Sequence, residues 1–220
     1  MVSGDVTQLV HISADSVTLE GMLAIPVGAP GVVLFAHGSG SSRHSPRNTF
    51  VAQVLQRAGL GTLLIDLLSP EEDVSYEARF DIHLLAERLT AASQWLQAQP
   101  PTKDFGLGYF GASTGAAAAL QAAAALGPAI RAVVSRGGRP DLAWAALERV
   151  QAPTLLIVGG RDDVVIELNQ RAYERLHADK QLVIVPGATH LFEEQGALPE
   201  VARLAAQWFT RYLPPQTAPS

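Results

Sequence analysis

Gly111-Ala112-Ser113-Thr114-Gly115 lies between an apolar run at 105–110 and an alanine-rich stretch at 116–126. The run reads as a strand and the stretch as a helix, so the pentapeptide must turn the chain sharply from one into the other. Such a turn holds its middle residue in a strained conformation that lifts the side chain clear of the sheet. Glycines two residues to either side remove the Cβ atoms that would collide as strand and helix close. The helix N-terminus beneath the hydroxyl offers free N–H groups and the positive end of a dipole, which suit an oxyanion. Ser113 is therefore the candidate nucleophile.

The rest of the chain repeats the strand-then-helix pattern without an internal sequence repeat. Residues 8–13 and 17–25 alternate around Ala14-Asp15-Ser16 and predict an antiparallel opening hairpin. Apolar strands follow at 32–36, 61–67, 105–112, 132–135, 154–158 and 182–185. Helices are predicted at 50–58, 80–97, 116–126, 164–176 and 198–212, the second of them ended by Pro100-Pro101. The pattern predicts an α/β fold: an eight-stranded, mostly parallel sheet with an N-terminal antiparallel strand and helices on both faces. One domain over 1–213 accounts for it, and the proline-rich 214–220 is expected to be a flexible tail.

At 220 residues, 48% hydrophobic and 17% charged, the chain can bury a substantial core. Its net charge of −5 offers no basic stripe to neutralise phosphates, so nucleic acid is not an expected partner and a small-molecule substrate is. Without cysteine there are neither disulfides nor thiolate metal sites. Residues 1–10 contain Asp5 and no apolar leader, and no run approaches the ~18 apolar residues of a membrane span. A cytoplasmic protein is expected, as monomer or homodimer.

An acid and a histidine fall at later strand ends, in the order Ser, acid, His. Arg161-Asp162-Asp163 follows the strand at 154–158, and Gly187-Ala188-Thr189-His190 follows the strand at 182–185. Ligands of open α/β sheets collect outside these C-terminal strand ends. A serine hydroxyl is a weak nucleophile until a base takes its proton, and His190 is the base available near neutral pH. No cofactor is required.

Four segments carry a family resemblance: His37-Gly38-Ser39-Gly40 after the strand at 32–36, the Gly111 to Gly115 turn, Gly160-Arg161-Asp162-Asp163-Val164-Val165, and Pro186-Gly187-Ala188-Thr189-His190. On these the chain resembles the α/β-hydrolases, and among them the dienelactone hydrolase-like proteins, over nearly its whole length. The resemblance implies a Ser113–His190–Asp162 triad on an α/β-hydrolase fold. It favours Asp162 over Asp163 as the orienting acid, because the family's carboxylate comes first with an apolar pair following. Asp163 then reads as the cap of the next helix. Dienelactone hydrolases proper use a cysteine nucleophile; serine stands here, which turns the expected substrate away from a dienelactone. The backbone N–H groups of Thr114 and Ser39 are the expected oxyanion donors. Relatives often insert a lid between the strands that here are separated only by 136–151, so a minimal lid and an open cleft are expected.

Among the remaining polar residues, His37 reads as a brace for the oxyanion turn. His11, His83 and His177 read as surface groups, and Asp66 as a loop brace and reserve acid. Gly38, Arg43, His44 and Arg136 are candidate substrate contacts, since a guanidinium can clasp a carboxylate bidentately. The competing reading makes these charges, with Arg47 and Arg139, solvated groups or partners of Glu71, Glu72 and Asp73. Gly106-Leu107-Gly108-Tyr109-Phe110-Gly111 matches a dinucleotide fingerprint literally but lies inside a strand rather than after one. His190-Leu191-Phe192-Glu193-Glu194 lacks the second histidine of the helical zinc motifs, so no metal is expected.

The expected activity is hydrolysis of small carboxylic esters through an acyl-enzyme on Ser113, with lactones and thioesters open to the same machinery. The alternative is a ligand-binding or signalling protein of this fold with little turnover.

Overall fold

The computed structural model describes residues 6–214; residues 1–5, and the 215–220 part of the expected tail, lie outside the described residues. Strands β1 (Val6–Ala14), β2 (Val17–Ile25), β3 (Gly31–Ala36), β4 (Gly61–Ile65), β5 (Gly106–Ala112), β6 (Ile130–Arg136), β7 (Thr154–Gly159) and β8 (Lys180–Val185) form one sheet. Their order is β1-β2-β4-β3-β5-β6-β7-β8. β2 pairs antiparallel with both β1 and β4, and the pairs from β3/β4 through β7/β8 are parallel. The predicted antiparallel N-terminal strand is thus β2. The whole matches the α/β-hydrolase fold.

Helices α1 (Pro46–Arg57), α2 (Tyr76–Phe80), α3 (Ile82–Ala98), α4 (Thr114–Leu126), α5 (Asp163–Arg175) and α6 (Ala197–Tyr212) cover both faces. Because side chains alternate along a strand, each central strand feeds two cores. Leu34, Leu63, Tyr109, Val133 and Leu156 meet Leu85 and Leu89 of α3 and Ala118 and Ala122 of α4. Val33, Phe35, Phe110, Val134 and Ile157 meet Val51 and Leu55 of α1 and Val201, Ala205 and Phe209 of α6. Burial of each such large side chain is worth about 1.5–3 kcal/mol against exposure. The buried Tyr109 hydroxyl is satisfied by Ser93 at 2.6 Å.

The alanines of α4 let it sit directly behind the β5 turn, with Ala116 to Ala119 fully buried. A Cβ on Gly115 would strike the carbonyl oxygens of Ala36 and His37, and one on Gly111 would strike the Ala116 backbone. Both glycines are required by close packing at the turn.

Several boundaries differ from expectation, each for a local reason. α1 begins four residues early, at Pro46, because Ser45 caps it by accepting from Asn48 N at 3.3 Å. The helix expected at 80–97 divides at Asp81, which ends α2 and caps α3 by accepting from Leu84 N at 3.0 Å. β4 stops at Ile65 rather than 67, where Asp66 turns out to bind the loop at Arg43. Asp163 is the first helical residue of α5 rather than its cap, and Asp162 stands at the cap position without a capping bond. His177 follows α5 and is exposed, a surface group as expected. The short segment between β6 and β7 forms 3₁₀ turns over Pro140–Arg149, kinked at Ala143, that pack against α4 and α5. Among the described residues no helix is long and apolar enough to cross a membrane.

Candidate active site

Five consecutive strands of the sheet deliver their C-terminal ends to one edge: β3 gives His37-Gly38-Ser39, β5 gives Ser113, β6 gives Arg136-Gly137, β7 leads to Asp162 and β8 to His190. Ser113 has φ 52° and ψ −121°, a backbone conformation that non-glycine residues seldom adopt. The turn is pinned from both sides, since Ser113 N–H donates to Arg136 O (3.2 Å) and Ser113 O accepts from the N–H groups of Ala116 and Arg139, each at 3.1 Å. Strain at a position this tightly held marks a side chain that must point somewhere in particular.

His190 Nδ1 lies 2.6 Å from Asp162 Oδ2, with the Asp162 side chain 16% exposed and that of His190 39%. The acid is sheltered and the imidazole accessible. With the proton on Nδ1 donated to the carboxylate, the Nε2 lone pair is free to act as a base. Gly137, at φ 52°, lies against the other face of the site: a Cβ there would come within 3.4 Å of His190 Cε1 and Nδ1. Gly137 N–H donates to Ile157 O on β7 at 2.8 Å. One short loop thus touches the Ser113 turn, His190 and the strand that leads to Asp162. Among the described residues, Ser113 Oγ and His190 share no hydrogen bond; such contacts commonly tighten only once substrate is bound.

The two expected oxyanion donors are drawn together, and one of them is already engaged. Ser39 N–H donates to Thr114 Oγ1 at 2.9 Å. Thr114 N–H opens α4, where an N–H has no acceptor within the helix. The Thr114 hydroxyl thus already occupies the Ser39 N–H. Gly38 packs against Ser113, its added Cβ falling 3.1 Å from Ser113 Cβ. His37 holds this loop in place: it is buried, accepts from Leu67 N–H at Nε2 (3.0 Å) and faces Gly38 O through Nδ1 (3.0 Å). Desolvation pushes its pKa below the usual histidine value, against opposing contributions from Gly38 O, Asp66 and Asp73.

The model for the dienelactone hydrolase family matches residues 19–213, the span from β2 to the end of α6 and all of the site residues above. The chain belongs to the dienelactone hydrolase family. It is similar to the crystal structure of a dienelactone hydrolase from Anabaena variabilis, with a TM-score of 0.93 at 57% identity, covering 96% of this chain and 99% of that one. Est1E from Butyrivibrio proteoclasticus, at 15% identity and a TM-score of 0.80 over 96% of this chain and 99% of that one, shares the fold. A Mycobacterium tuberculosis protein named putative phosphoribosyl transferase is 58% identical over 204 residues, which are 93% of this chain and 46% of the relative. The chain therefore spans a little under half the length of that relative.

In this dienelactone hydrolase family member the candidate substrate contacts have different surroundings. The Arg43 guanidinium is bound to Asp66 and, at 2.6 Å, to Glu20, so it is not free to take a substrate carboxylate. The carboxylates that hold it are neither Glu71, Glu72 nor Asp73. His44 is exposed, its N–H turned to Ser42 Oγ at 3.2 Å. Arg139 is paired with Asp141 at 2.8 Å. Arg136 stands apart as a buried guanidinium over the Phe192 ring, 5.9 Å from its centroid. Among the described residues no group of three or more histidine and carboxylate side chains is arranged to hold a metal ion.

Sequence reasoning missed three supports of this site. Gly137, with its positive φ against His190, was legible as a glycine doublet after a strand. Arg139 N–H on the Ser113 carbonyl had no signal, being a backbone contact. Asn169 of α5, fully buried, donates to Gly138 O at 3.0 Å and to Val165 O at 2.8 Å; a lone asparagine on an apolar helix face was its only trace.

Proposed function

We propose that this protein is a serine hydrolase that cleaves small carboxylic esters through an acyl-enzyme on Ser113. The observation that carries the reading is the strained Ser113 turn at the same sheet edge as the 2.6 Å His190–Asp162 bond. His190 Nε2 takes the Ser113 proton as Oγ attacks the ester carbonyl, and the tetrahedral oxyanion is received by Thr114 N–H, with Ser39 N–H as second donor. The imidazolium, steadied by Asp162, gives its proton to the departing alcohol. Water then attacks the acyl group, His190 again taking a proton, and the acid leaves as Ser113 recovers its hydrogen. The phosphoribosyl transferase name belongs to relatives of which this chain spans less than half; the ester reading rests on the site residues.

Hydrolysis of nitrophenyl esters from acetate to long acyl chains, by the native protein and by Ser113→Ala, tests this. Steady turnover favouring short acyl groups, lost in the variant, is the expected result. A single slow turnover on every ester would instead mark a binding protein.

A further inference from the structure

Arg136 ends β6 as a buried cation that lies over the Phe192 ring and has no hydrogen-bond or ion-pair partner among the described residues. The residue is 8% exposed, its Nε is buried without an acceptor, and no carboxylate or carbonyl bonds its guanidinium among the described residues. Desolvation, and after it the charge of Arg47, lowers its pKa to about 10. An uncompensated buried charge is costly, so a fold keeps one where a ligand offsets it. Two arginines of neighbouring loops are taken: Arg43 by Asp66 and Glu20, Arg139 by Asp141.

Arg47, second residue of α1, faces the same region. Its Nε is likewise buried without an acceptor, and its Nη1 bonds Glu193 at 3.1 Å, a carboxylate whose side chain is 65% exposed. The first turn of α1 carries no acidic residue. Its N-terminus is already capped, since Pro46 has no N–H and Asn48 N–H donates to Ser45 Oγ at 3.3 Å. The location is beside the reacting groups: Arg136 O accepts from Ser113 N–H, Gly137 touches His190, and Phe192 under the guanidinium lies two residues past His190.

We propose that Arg136 and Arg47 form a subsite for a phosphate monoester group carried by the substrate. The proposal rests on the reading of Ser113 as an ester-cleaving nucleophile. Charge matching selects the group. With the exposed Glu193 carboxylate displaced into solvent, the two guanidiniums present about +2. A phosphate monoester carries about −1.5 to −2 near neutral pH and offers three acceptor oxygens. A carboxylate carries one charge and would leave one guanidinium unmatched. The Arg47–Glu193 pair is exposed enough to yield to a stronger partner.

Calorimetric titration with inorganic phosphate separates this site from the chemistry. Native protein and Ser113→Ala should bind phosphate one to one, with affinity at least tenfold weaker in Arg136→Gln and several-fold weaker in Arg47→Gln. The half-buried Arg47 variant carries the test should Arg136→Gln not fold. A nitrophenyl ester whose acyl chain ends in phosphate should outcompete its neutral isostere in kcat/KM, and that ratio should fall at least tenfold in Arg136→Gln. Absence of phosphate binding, or binding retained in both arginine variants, overturns the subsite. Preference for an acyl chain ending in carboxylate over one ending in phosphate overturns the choice of a dianion. Phosphate binding without turnover of any ester supports the subsite and contradicts the role given to Ser113.

Discussion

Ser113 occupies φ 52°, a region that costs a non-glycine residue on the order of 1–3 kcal/mol. Ser113→Gly relieves that strain while adding some unfolded-state entropy. Thermal denaturation should show the variant more stable by about 1 kcal/mol, with ester turnover lost; an unchanged or lower midpoint would mean the turn is not strained. Asp162→Asn should retain the fold and lower kcat by about 10⁴-fold, as expected when the carboxylate that sets the His190 tautomer becomes an amide. His37 contributes a pH dependence of its own. Its folded pKa lies below its unfolded one, so the unfolded chain binds more protons once pH falls below about 6.5. The stability that neutral His37 contributes is complete above that pH and is lost as pH falls towards the folded value. Urea unfolding between pH 7.5 and 5 should show this acid-side loss, and His37→Asn should reduce it.

At the scale of elements, the loop from Gly137 to Arg139 couples three strand ends, and Asn169 fastens it to α5. Removing the Asn169 amide leaves the Gly138 carbonyl buried without a donor. Asn169→Ala should therefore cost about 1–3 kcal/mol in chemical denaturation. It should also lower kcat for a saturating ester, because the loop beneath His190 slackens; full activity at reduced stability would confine Asn169 to folding. Elements were legible where one signal dominated. The continuous apolar strands and the alanine run of α4 admit one reading each. The start of α1 was not, because Ser45-Pro46 lies within a polar loop whose helical character shows only through the cap. The break between α2 and α3 was hidden by Asp81, which continues a helical pattern while ending one helix and capping the next.

For the whole molecule, one sheet with two cores holds five strand ends on a common edge; the order of apolar runs predicts the mostly parallel sheet and its helical faces, whereas the β1-β2-β4-β3 order arises from strand pairing. Ser113, Asp162 and His190 each follow a readable strand, and the sheet is what brings His190 to Asp162. The engagement of Ser39 N–H by Thr114 and the isolation of Arg136 were not legible, since both depend on which side chains reach across the cleft. Arg43 and Arg136 look alike in sequence, yet one meets two carboxylates and the other none. The most direct test of the account is to react the protein with a fluorophosphonate, map the adduct by peptide mass spectrometry and follow ester turnover in parallel. One adduct, on Ser113, forming at the rate at which turnover disappears is the predicted result. Labelling at another residue with activity lost, or full turnover by a protein labelled at Ser113, would contradict it.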